Sequence, residues 1–151
     1  MIIDISHDCV PVIFDENMDI RILLDTGAKI SVFTRGLEAF LEIFPNAVKA
    51  ERKYLLGGFG GSKKDLCEVY TIPRFSLGGI QINNLPVVIA TNKYISSEIV
   101  LSAYVFKKNR LTIDFDNDKI EILYSRPIYC ILTSSEIDSN YAGGFAVFTQ
   151  E

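Results

Sequence analysis

The feature that most constrains this chain is a succession of short, alternating, β-branched runs, each closed by a turn. Val10-Pro11-Val12-Ile13-Phe14 reads as a strand, Asp15-Glu16-Asn17 as a turn, and Ile20-Arg21-Ile22-Leu23-Leu24 as the returning strand. That second strand runs straight into Asp25-Thr26-Gly27-Ala28. Further runs follow at Ile30 to Phe33, Pro86-Val87-Val88-Ile89-Ala90 and Glu98-Ile99-Val100-Leu101. Leu111-Thr112-Ile113-Asp114-Phe115 and Lys119-Ile120-Glu121-Ile122-Leu123 form a hairpin over Asp116-Asn117-Asp118. Strands do not alternate with long helices, so a doubly wound parallel sheet is disfavoured and a mostly β chain is expected.

Two helical segments interrupt the strands. Leu37, Phe40, Leu41 and Phe44 fall at i, i+3, i+4 and i+7, predicting a short amphipathic helix with a core-facing stripe. Pro45 ends it, because it has no amide to donate. A second helix is expected from Ala103 to Lys108. Extended segments over 48–56 and 65–75 flank Gly57-Gly58-Phe59-Gly60-Gly61-Ser62, a long hairpin with a glycine-rich tip. Leu77-Gly78-Gly79-Ile80 and Asn83-Asn84 read as turns around a short strand. Beyond Ser125 the pattern is weaker, with a polar stretch from Ser134 to Asn140 and a final strand expected at Gly144-Phe145-Ala146-Val147-Phe148.

Composition narrows the function. At 151 residues with 48% hydrophobic residues, the chain suits one compact domain that folds without metal or disulfide. A net charge of -4 argues against a nucleic-acid partner held by phosphate neutralisation. His7 is the only histidine, which excludes a multi-histidine metal centre, and Cys9, Cys67 and Cys130 lack zinc-knuckle or redox-pair spacing. No metal or cofactor is therefore expected. Asp114, Asp116 and Asp118 lack the glycine and the later glutamate of a calcium loop, and read as a solvated turn. Reduced thiols, the absence of an apolar run long enough for a bilayer, and no basic-then-apolar start at Met1-Ile2-Ile3-Asp4 lead to the expectation of a cytoplasmic, non-membrane protein.

The chemistry is expected at Asp25. It leaves the core on the heels of Leu23 and Leu24, so its carboxylate arrives partly withdrawn from water, and burial disfavours the charged form. Thr26 has a hydroxyl able to brace the backbone, Gly27 permits a tight turn and close approach by another main chain, and Ala28 keeps the floor of the site small. Two carboxylates held about 3 Å apart cannot both be charged and share a proton. The charged member can then take a proton from water attacking a peptide carbonyl, while the protonated member donates to the carbonyl oxygen. A nucleophilic Cys67 is disfavoured, since its one conceivable partner, His7, is remote in sequence.

Asp25-Thr26-Gly27-Ala28 after two leucines resembles the active-site motif of retropepsins, the aspartic proteases of retroviruses and their bacterial relatives. The likeness extends to a flap-like hairpin roughly thirty residues later and to Glu98-Ile99-Val100-Leu101-Ser102 before a helix and hairpin, so it spans about residues 8–124. It implies a single-lobe, closed β fold with one or two short helices and a flap, a protease domain over 1–124, and a C-terminal extension over 125–151. No second Asp-Thr-Gly occurs; Asp138-Ser139-Asn140 lacks the glycine and the preceding strand. The resemblance thus implies a homodimer in which each copy supplies Asp25, with the extension expected to add a strand at the interface. Gly57, Gly58, Phe59 and Gly60 are expected to form the substrate-binding flap, closing over an extended peptide or protein substrate. A phosphate loop is ruled out there, because Ser62-Lys63-Lys64 is followed by a strand and not by a helix. Ser102 departs from the family's usual glycine, and serine is small enough to be tolerated. An alternative role for the same fold is a non-catalytic dimerisation or peptide-binding module.

Overall fold

The structure, a computed structural model, describes residues 2–4, 11–51, 53–56, 65–92, 94–124, 126–134 and 145–150. Strands dominate. In chain order they are β1 (Ile2–Asp4), β2 (Val12–Asp15), β3 (Ile20–Asp25), β4 (Ser31–Phe33), β5 (Val48–Lys49), β6 (Tyr54–Leu56) and β7 (Asp65–Cys67). Then come β8 (Val69–Leu77), β9 (Ile80–Ile89), β10 (Ile99–Ser102), β11 (Leu111–Asp114), β12 (Lys119–Ile122), β13 (Ile128–Ser134) and β14 (Phe145–Gln150). One α-helix, α1 (Gly36–Ile43), and one 3₁₀ turn (Ala103–Phe106) complete the described elements.

Nine strands form the main sheet, in the order β14-β13-β9-β4-β10-β3-β2, with β8 on the other edge of β9 and β5 beyond it. Among the described residues the sheet stays open and does not close into a barrel; β2 and β14 stand at the ends of this strand order. β10 lies between β3, to which it is parallel, and β4, to which it is antiparallel. The β11–β12 hairpin forms a separate small sheet with β1 against β12.

The period of two along these central strands divides the apolar side chains between two cores. Ile22 and Leu24 of β3, Phe33 of β4, and Ile99 and Leu101 of β10 enter the larger cluster. Their alternates, Val32 and Val100, join a smaller cluster with Ile30, Val69 and Val88, against which Leu23, Ala28, Tyr54, Leu56 and Ile95 pack. The strand leading to Asp25 is thus clamped from both faces.

Several expectations change in three dimensions. In α1, Phe40 is buried, with Ala39 and Ile43 packed against the core and the C-cap Phe44 buried just beyond, but Leu37 and Leu41 are exposed. Helical period identifies a stripe; it does not decide which neighbouring sector meets the sheet. The sector chosen here brings Phe40 within 5.3–5.5 Å of the rings of Phe33, Phe44 and Tyr70. Leu37 instead lines a cleft of about 330 Å³ with Leu56 and Leu66. The second predicted helix is only a 3₁₀ turn over Ala103–Phe106, too short for an α-helical register.

Asn83-Asn84 is not a turn either; β9 runs through it. Asn84 takes a φ of 57°, which asparagine tolerates, and β8 pairs with β9 on both sides of it. Asn83 is buried, and its amide donates to the Ile128 carbonyl at 3.3 Å, fastening β13 to β9. β13 therefore joins the sheet in parallel to β9, and Ile128 and Cys130 enter the larger core. The Gly78-Gly79 turn is as expected: both residues have positive φ, 55° and 87°, as a two-residue hairpin requires.

Candidate active site

Asp25 is the last residue of β3 and is half-buried. Its Oδ1 accepts a hydrogen bond from the Gly27 amide at 2.8 Å, so the carboxylate folds back over the turn that follows it. Thr26 and Gly27 are exposed, whereas Ala28 tucks towards the smaller core. Gly27 does not have the left-handed backbone that only glycine favours, and a Cβ built there would meet only Asp25 Oδ1, at 3.4 Å. Among the described residues, nothing in this chain makes a side chain at position 27 impossible.

Beneath this turn lies β10. Its register sets Val100 beside Leu23, Leu101 beside Leu24 and Ser102 beside Asp25. The residue in the family's glycine position is fully buried and fully hydrogen-bonded. Ser102 Oγ donates to the Ala28 carbonyl at 2.6 Å and accepts from the Tyr104 amide at 3.2 Å. Its amide donates to Ser31 Oγ at 3.0 Å. The serine side chain thus occupies a built polar niche.

The approach to β10 is held by Thr34 and Arg35, which the sequence did not single out. Thr34 Oγ1 donates to the Ser97 carbonyl at 2.9 Å, and the Arg35 guanidinium donates to the carbonyls of Asn92 and Ile95 at 3.1 and 2.8 Å. These bonds fix the segment that delivers Ile95 to the smaller core. No motif marks Ser31, Thr34 or Arg35, since their partners lie 57 to 71 residues away.

Of the expected hairpin, the described part is its base, where Tyr54 pairs with Cys67 and Leu56 with Asp65. Lys49 and Lys53 meet the Glu68 carboxylate at 3.3 and 3.6 Å there. The tip residues Gly57, Gly58, Phe59 and Gly60 lie outside the described residues, as do His7 and Cys9. Cys67 is half-buried, and burial together with the Asp65 charge pushes its thiol up, away from a reactive thiolate. Asp114, by contrast, binds the side-chain and backbone amides of Asn117 at 2.7 and 3.2 Å, which hold its carboxyl below the usual range. Its oxygens close a turn, as the sequence implied. No helix among the described residues is long and apolar enough to cross a membrane.

The lobe is mostly β, and an aspartate stands at the end of a strand whose side chains enter two apolar clusters. The aspartyl protease family matches residues 10–105, which contain β2 to β10 and Asp25, and the chain belongs to that family. Its fold is similar to that in the crystal structure of a retropepsin-like aspartic protease from Rickettsia conorii, with a TM-score of 0.55 over 81% of this chain and 88% of that one. Identity between the two is 17%, so the likeness is one of fold. No curated protein matches the sequence.

Proposed function

We propose that two copies of this chain form an aspartic endopeptidase in which the two Asp25 carboxylates, side by side, activate a water molecule. The observation that carries this reading is the placement of Asp25: it leaves a doubly clamped strand, accepts the Gly27 amide, and sits beside an exposed Thr26-Gly27 turn. Within one copy the Thr26-Gly27 turn is exposed and a Cβ at Gly27 would meet only Asp25 Oδ1, so this face of the turn is open to a neighbouring main chain. Two-fold symmetry would bring the same turn from each copy to one axis. The resulting pair of carboxylates shares one proton. The charged member draws a proton from water as it attacks the peptide carbonyl, and the protonated member donates to the carbonyl oxygen.

The substrate lies extended across the axis, adding a strand beneath the hairpins, whose tips at Gly57, Gly58, Phe59 and Gly60 close over it and exclude water. Leu23, Ala28, Tyr54, Leu56 and Ile95, all only partly buried against the smaller core, supply apolar surface for its side chains. Thr26, Gly27 and Ala28 support the catalytic turn.

The test compares the wild-type chain with Asp25→Asn on an unstructured protein substrate between about pH 4 and 7, following cleavage by mass spectrometry and mass by light scattering. Cleavage by wild type alone, rising with the dimer fraction, is the expected result. A confirmed dimer that cuts nothing at any of these pH values would refute the catalytic reading and leave a peptide-binding module.

A further inference from the structure

A buried hydroxyl in an apolar setting is costly unless it is partnered. Ser102 meets that demand by linking three separate segments: the Ala28 carbonyl of the catalytic turn, the Tyr104 amide of the 3₁₀ turn, and, through its own amide, Ser31 at the start of β4. It is also the N-cap of the 3₁₀ turn. A glycine at this position could keep the amide bond to Ser31 and would lose the other two.

We propose that Ser102 is a positioning residue for the catalytic turn, a role that rests on the reading of Asp25 as the catalytic carboxylate. The turn is pinned at two points. Near its start, Asp25 Oδ1 holds the Gly27 amide; at its end, Ser102 Oγ holds the Ala28 carbonyl. Between those points only the backbone torsions of Gly27 and Ala28 are left to vary, and glycine is the most permissive residue the chain could place there. With the Ala28 carbonyl released, the Gly27 peptide can swing, and the carboxylate it orients swings with it. In a site that needs two carboxylates in mutual register, a small angular error in each copy is felt twice. The hydroxyl thus stiffens, from the adjacent strand, a turn whose own sequence is loose. Because Ser102 lies opposite Asp25 in the β3–β10 pair, the restraint acts on the same rung of the sheet as the carboxylate.

The experiment compares Ser102→Ala, Ser102→Gly and Ser102→Thr with wild type, measuring kcat, KM, thermal melting and the amide exchange of Gly27 and Tyr104 by NMR. Alanine removes the hydroxyl and keeps Cβ; glycine removes both and loosens the backbone; threonine keeps the hydroxyl and adds a methyl to a buried site. The expected result for Ser102→Ala and Ser102→Gly is a fall in kcat of about tenfold with KM changed less than about twofold, as loss of alignment predicts. Gly27 exchange is expected to rise together with that of Tyr104, and Ser102→Thr to restore most of kcat. Faster exchange at Tyr104 alone, with kcat unchanged, would reduce Ser102 to a cap of the 3₁₀ turn and overturn the proposal. If Ser102→Ala does not fold, Ser102→Cys, which keeps Cβ and a side-chain atom of similar size but only a weak donor, gives the comparison, with the same fall in kcat and rise in Gly27 exchange expected. The two readings fail separately: absence of cleavage by wild type removes the catalytic reading, whereas unchanged Gly27 exchange removes the positioning role whether or not the protein cuts.

Discussion

Arg35 offers the sharpest test of how the lobe that carries Asp25 is held. Its guanidinium donates to Thr34 Oγ1 at 2.7 Å, to the Asn92 carbonyl at 3.1 Å and to the Ile95 carbonyl at 2.8 Å. Replacement by methionine keeps most of the apolar stem and removes all three donors. Each hydrogen bond from a charged donor contributes about 1.5–3 kcal/mol when sheltered, but Arg35 is only half-buried and water can take over in part, so about 1 kcal/mol per bond is the reasonable figure. The sum is about 3 kcal/mol. For a chain of this length that corresponds to a fall in Tm of about 6–12 °C. Lysine should recover only part of it, because a point charge cannot fork between two carbonyls as a planar guanidinium does. The assay is urea unfolding of Arg35→Met, Arg35→Lys and wild type, with amide exchange followed over residues 92–98. The expected signature is a lower midpoint at unchanged m-value and faster exchange in that segment. An unchanged midpoint with unchanged exchange would refute the reasoning. It would mean that the backbone bonds of Thr34 to Glu98 and of Asn92 to Thr34, both 2.9 Å, hold the segment unaided.

The buried Cys130 thiol is pushed up to about 12 by burial, against an ordinary value of 9.0. Between those two values the unfolded chain has lost a proton that the folded chain keeps, so stability falls as pH rises, by about 1.4 kcal/mol per pH unit from about pH 9 to 12. Urea midpoints across that range check the slope; a Cys130→Ala chain with the same alkaline slope would show that the titration belongs elsewhere. The C-terminal segment is proposed both to complete the core and to contribute a strand to the dimer interface. A chain ended at Tyr124 loses Ile128 and Cys130 from the larger core and exposes the β9 edge, which should cost several kcal/mol and lower the dimer fraction. Calorimetry and light scattering check both effects, and an unaltered Tm with unaltered dimerisation would remove both roles.

The sequence was legible wherever the physics is local. Short apolar runs located β2 and β10, and alternation located β3, β11 and β12, each to within a residue or two, because these signals sit on a few consecutive side chains. Gly78-Gly79 announced its turn because two positive φ values exclude most other residues. Asp25-Thr26-Gly27-Ala28 marked the candidate site through its likeness to the retropepsin motif, and in the structure Asp25 ends β3 as read. Reading failed where one residue type serves two ends. Asn83 and Asn84 look like a turn pair, yet one anchors β13 and the other takes a left-handed φ within a continuous strand. Leu37 and Leu41 look like core residues until the sheet meets the adjacent sector of α1.

By itself, then, the sequence determined that this would be a mostly β chain with an aspartate at a strand end, because backbone period, turn conformations and the charge of a side chain are properties of neighbouring residues. Tertiary structure alone decided what surrounds that aspartate. Ser102 reaches Ala28 across 74 positions, Arg35 reaches Ile95 across 60, and Ser31 receives the Ser102 amide across 71. No local pattern encodes such pairs, since a hydrogen bond of 3 Å between distant residues exists only after the strands between them have chosen their neighbours.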